Sequence, residues 1–92
     1  MKYALWNLKI EADNYLSGPE QTIVQAGAQV ETAWTDGFVE NGATILGYIY
    51  GDFVADLSAW NYKEITQNEA LAFCQALDSS AMVDEFGKII TQ

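Results

Sequence analysis

The chain has no arginine, no histidine and a single cysteine, and its side-chain cations are four lysines. Without imidazole it has no side chain that ordinarily titrates between pH 5 and 8 to serve as a base. Without guanidinium it has no planar fork to clamp phosphate or carboxylate. Cys74, being alone, excludes an intramolecular disulfide and a cysteine-based metal site. No apolar run approaches the roughly 18 residues of a membrane span. The N-terminal stretch Met1-Lys2-Tyr3-Ala4-Leu5-Trp6 meets polar Asn7 and Lys9 too soon for a signal-peptide core. Repeats, low-complexity tracts and interdomain linkers are also missing. These absences weigh against most enzyme classes, and the protein is expected not to be an enzyme.

What is present is acid and aromatic. Thirteen carboxylates give a net charge of −9, spread from Glu11 to Glu85 without a block of like charge. Such a distribution reads as a solvated surface, not as a tail. Half of the 92 residues are hydrophobic and 13% are aromatic, enough to bury a core, so one domain over residues 1–92 is expected. Acidity makes duplex DNA and anionic membranes poor partners, because carboxylates add repulsion where counterion release should help. A soluble, intracellular product with no direct nucleic-acid or membrane binding is expected.

Along the chain, Lys2–Ile10 alternates as a strand, Ala4, Trp6, Leu8 and Ile10 opposing Tyr3, Leu5, Asn7 and Lys9. Glu11–Ser17 reads as a polar connection. Ser17-Gly18-Pro19-Glu20 has capping-box spacing and opens a short helix to about Ala26, stopped by Gly27. Gln29–Thr35 is a second strand. Asp36-Gly37 and Asn41-Gly42 are both turn dipeptides, one expected to be the turn and the other a bulge or loop. Ala43–Tyr50 is apolar on both faces and fits a central strand. Phe53–Ala59 has no clear pattern, and Ala59–Ile65 resembles a strand with Trp60 and Tyr62 on one face. Thr66-Gln67-Asn68-Glu69 is another capping box, and Ala70, Leu71, Cys74 and Leu77 follow at helical spacing up to Asp78. Ala81–Ile90 reads as two short strand pieces around a turn at Asp84–Gly87.

The order predicts an α+β fold: an antiparallel sheet of four to five strands with two helices on one face. A ferredoxin-like βαββαβ arrangement is the nearest template. A small, curved sheet or barrel with two peripheral helices is the rival.

Candidate chemistry is sparse. Asp36 and Glu40, Asp52 and Asp56, and Asp84-Glu85 could pair as acid and base or bind Ca²⁺, but no EF-hand spacing exists and turn carboxylates are commonly just solvated. Cys74 sits mid-helix in an apolar row with no cationic neighbour, the setting of a structural thiol. Ser17, Ser58, Ser79 and Ser80 lack a histidine partner. The glycines between Gly42 and Gly51 form no phosphate-binding signature. No catalytic, cofactor-binding or metal-binding residue is assigned. The aromatic residues Trp34, Tyr48, Tyr50, Trp60 and Tyr62 would suit a stacking platform, but such platforms need a basic groove. Two helices on one face would leave the other sheet face bare, with Tyr3, Leu5 and some of Tyr48, Tyr50 and Tyr62 expected to line it as an interaction surface. Pairing of sheets between copies would cover that face, so a homo-oligomer is expected.

Gly18-Pro19-Glu20-Gln21-Thr22-Ile23, Trp34, Ile65-Thr66-Gln67-Asn68-Glu69-Ala70-Leu71-Ala72-Phe73-Cys74 and Asp84-Glu85-Phe86-Gly87-Lys88 resemble small uncharacterised proteins of marine tailed phages, especially those of cyanobacteria. The resemblance runs over most of the chain and implies a phage or marine metagenomic origin, in the host cytoplasm or the virion, with no catalytic residues to carry over. Two functions follow as expectations. One is a non-enzymatic structural or interaction module that self-associates. The other is an acidic inhibitor that imitates nucleic acid and occupies the basic groove of a host DNA- or RNA-binding protein.

Overall fold

Alternation along the first strand sets two faces: Ala4 and Trp6 project to one side, Tyr3 and Leu5 to the other. The computed structural model describes residues 1–38 and 42–92. Its strands are β1 (Lys2–Asn7), β2 (Lys9–Ile10), β3 (Leu16–Ser17), β4 (Gln29–Gly37), β5 (Ala43–Tyr50), β6 (Lys63–Ile65), β7 (Met82–Val83) and β8 (Ile89–Ile90). Its α-helices are α1 (Glu20–Gln25) and α2 (Gln67–Leu77), with 3₁₀ turns at Ala12–Asn14 and Ser58–Trp60. Four strands form one antiparallel sheet in the order β4-β5-β1-β6. This is the expected α+β class, and the sheet does not close into a barrel.

The placement of the helices corrects the sequence reading. Ile23 of α1 is buried with Ala4, Trp6, Ile45, Ile49 and Leu57 on the first face. Ala70 and Cys74 of α2 are buried with Tyr3, Leu46 and Tyr48 on the second. The helices therefore lie on opposite faces, not on one. The physical reason is in β1 and β5 themselves: strands apolar on both sides need cover on both sides. The ferredoxin-like template also fails in order. Between β5 and β6 the one helical element is a three-residue 3₁₀ turn, and α2 follows the fourth strand of the main sheet instead of preceding it.

Local differences have equally local causes. The predicted strand Lys2–Ile10 breaks at Leu8, whose N–H still reaches the Ala43 carbonyl at 3.0 Å. Beyond it β2 turns away to pair with β3, so the polar connection Glu11–Ser17 is partly a small hairpin. Ser17 does not cap α1. Its hydroxyl donates to Glu11 at 2.9 Å and its carbonyl accepts from the Trp60 indole at 3.1 Å. Pro19 holds the N-cap position with no side-chain bond, and Gly27, at φ +108°, ends the helix as read. Asp36-Gly37 is not a turn: Gly37 still pairs with Ala43. Asn41 and Glu40 lie outside the described residues. The predicted strand Ala59–Ile65 is reduced to Lys63–Ile65, since Ser58–Trp60 is 3₁₀ and Asn61 is left-handed at φ 51°. Gly47 must be glycine, because an added Cβ there would overlap the Trp6 indole that lies across β5.

Candidate functional site

The expected aromatic surface dissolves on inspection residue by residue. Tyr3 and Tyr48 are 7% and 2% exposed, packed edge to face at 6.0 Å under α2 and the C-terminal hairpin, with Leu5 half-buried beside them. Tyr62 is on the opposite face, stacked on Trp6 at 6.3 Å and met edge-on by Phe53 at 6.0 Å. Tyr50 alone is exposed, its hydroxyl donating to Glu31 at 3.1 Å. The five residues do not share a surface. Tyr3, Leu5 and Tyr48 lie under α2, on the face that two helices on one side would have left bare.

The polar ends of Tyr3 and Tyr48, with the Trp34 indole, instead fasten the C-terminal hairpin. Tyr3 donates to the Gly87 carbonyl at 2.6 Å and accepts from Gln67 at 2.8 Å. The Ile89 N–H donates to the Tyr48 hydroxyl at 2.8 Å, and the Ile89 carbonyl accepts from the Trp34 indole at 3.0 Å. A two-stranded hairpin is marginal on its own. Here side chains of the main sheet take the hydrogen-bonding positions that a neighbouring strand would fill on Ile89. The aromatic rings supply apolar area and the hydroxyl and indole groups satisfy buried backbone.

Four of the thirteen carboxylates are bound to backbone N–H groups. Asp56 accepts from the Ser58 N–H at 3.0 Å and Asp78 from the Ser80 N–H at 2.9 Å. Asp84 accepts from both Phe86 and Lys88 N–H groups, closing the β7–β8 turn where a turn was read. Glu69 completes the capping box with Thr66. These backbone bonds hold Asp56, Glu69 and Asp78 below the usual carboxylate range. Asp52 and Glu64 flank Lys2 at 3.0 and 3.8 Å, and Glu31 meets Lys88 at 3.2 Å, all as exposed pairs of small energetic consequence. Among the described residues no three acidic or thiol groups converge as a metal site would require.

Cys74 is fully buried, and desolvation pushes its thiol up to about 11, so it carries no thiolate near neutral pH. An open cleft of about 310 Å³ lies at one end of the sheet, lined by Asn7, Leu8, Asp36, Gly42, Ala43 and Thr44. Asn7 and Asp36 flank Thr44 in register across three strands, and the Thr44 hydroxyl donates to Asn7 at 3.0 Å. This row can accept hydrogen bonds. Among its described residues it offers one carboxylate and no nucleophile activated by a base, which is too little for acid–base chemistry.

What sequence reasoning missed is main chain. The outer edge of β4 is unpaired in the sheet along a nine-residue strand. The segment Asp52–Leu57, which overlaps the stretch Phe53–Ala59 that showed no clear pattern, runs without turn or bend and faces alternately out and in. Its signal was present as apolar Phe53, Ala55 and Leu57 at every second position. No helix among the described residues is long and apolar enough to cross a membrane. Comparisons with protein-family models, with curated proteins and with solved structures gave no match.

Proposed function

We propose that this chain is a non-enzymatic interaction module that self-associates through the edge of its main sheet. The single observation that carries the reading is β4: nine residues long, at the end of the sheet, with one row of backbone groups facing outward. The chemistry of the side chains supports it from the negative side, since the thiol is buried and Asp56, Asp78 and Asp84 are engaged with backbone N–H groups.

An antiparallel second copy fits this edge in one natural register. The β-bulge between Thr32 and Trp34 exchanges the faces on either side of it. Pairing Gln29 with Asp36, Val30 with Thr35 and Glu31 with Trp34 of the second copy keeps each face on its own side. No two carboxylates then stand directly opposite each other. The bulge and the charged Glu31 and Asp36 blunt the edge, which favours a reversible dimer over open-ended association. Such a module suits an accessory or virion protein of the phage type that the sequence resembles. Light scattering at about 300 µM, a concentration suited to a small interface, should read a mass above that of the monomer. A monomer at that concentration would end the proposal.

A further inference from the structure

A second strip of open backbone lies on the α1 side of the molecule. Phe53, Ala55 and Leu57 turn inward onto the cluster around Trp6 and Tyr62, while Asp52, Val54 and Asp56 face outward. Val54 is 96% exposed, the most exposed of the large apolar side chains described. Among the described residues, the N–H groups of Asp52–Leu57 and the carbonyls of Asp52–Asp56 have no hydrogen-bond partner; the Leu57 carbonyl alone is taken, by Trp60 at 3.1 Å. A straight segment with an anchored inner row and an unpaired backbone presents what an added strand needs.

The outer row says what could add. A second copy is disfavoured: antiparallel pairing centred on Val54 sets Asp52 opposite Asp56 of the other copy twice over, and parallel pairing in register sets Asp on Asp. Glu64 shares Lys2 with Asp52, so the strip and its margin stay acidic even after that lysine is counted. Asp56, held below the usual carboxylate range by the Ser58 N–H, stays ionised.

We propose that Asp52–Leu57 docks an extended basic segment of another protein, one that presents lysine or arginine on both sides of an apolar residue at alternate positions. The peptide adds as an antiparallel strand. Its apolar side chain lies beside Val54 and its cations beside Asp52 and Asp56. The chain's charge of −9 steers such a partner toward it.

The test is amide chemical-shift mapping of the folded protein with the capped peptide Thr-Lys-Thr-Val-Thr-Lys-Thr. At about 1 mM peptide, the range of weak strand addition, shifts should centre on residues 52–57 and extend to Lys2 and Glu64. Replacing both peptide lysines by glutamate should abolish them, which needs no change to the protein. The double variant Asp52→Asn, Asp56→Asn should weaken binding about tenfold, with the loss shrinking as salt screens the charges. Asparagine can still cap Ser58, so the fold should persist. Shifts centred on β4, shifts equal for the glutamate peptide, or no shifts at all would each overturn the proposal.

Discussion

Tyr48 and Tyr62 carry buried hydroxyl groups with opposite circumstances. The Tyr48 oxygen accepts the Ile89 N–H, whereas among the described residues the Tyr62 oxygen has no partner and neither has Trp6 Nε1 beside it. Burial pushes the Tyr62 hydroxyl up to about 12, the mark of a polar group kept neutral by its surroundings. Removing an unpartnered hydroxyl while keeping the ring should cost nothing or help. Removing a partnered one strands a buried N–H. Urea denaturation should therefore show Tyr62→Phe unchanged or more stable by up to about 1 kcal/mol, and Tyr48→Phe less stable by about 1–3 kcal/mol. Equal losses in both variants would mean that the Tyr62 oxygen is satisfied in solution by groups other than those described.

Among the elements, α2 was fully legible and α1 only in part. The Thr66 hydroxyl accepts the Glu69 N–H at 3.1 Å while the Glu69 carboxylate accepts the Thr66 N–H at 3.0 Å, so the motif read from four residues is the motif formed. Thr66→Ala should lower stability by about 1 kcal/mol in the same denaturation assay. The similar spacing at Ser17 misled because Trp60, distant in sequence, claims the Ser17 carbonyl. Strand existence was legible from alternation in β1 and β4 and from apolar residues on both faces of β5. Strand ends were not, since Leu8 and Gly37 are placed by pairing with Ala43. The candidate surface was misread at this same scale. Tyr3, Leu5 and Tyr48 announced that a second face was apolar, and only tertiary packing could say that α2 and the C-terminal hairpin cover it.

The whole molecule has a pH window set from both sides. Asp56, Glu69 and Asp78 have folded values below their unfolded ones, so their contribution is complete above about pH 4.5 and is lost as pH falls through the folded values. Lys2 and Lys88 are raised by their acidic neighbours, and Tyr48 and Tyr62 chiefly by burial. Their contribution is complete below the unfolded values near 10 and is lost as pH rises through the folded ones. Thermal melts should show a plateau between about pH 5 and 9 with a decline on each side. A steady rise in Tm down to about pH 3 would mean that relief of the −9 self-repulsion outweighs the turn carboxylates.

At the same scale, the proposed module works by lending its backbone to another chain. Amide hydrogen exchange along Gln29–Gly37, compared at about 10 µM and about 1 mM protein, reads that directly over the range where small interfaces associate. The outward-facing amides of β4 should exchange more slowly in the concentrated sample, with those of β5 unchanged. Identical β4 exchange at both concentrations would contradict the account.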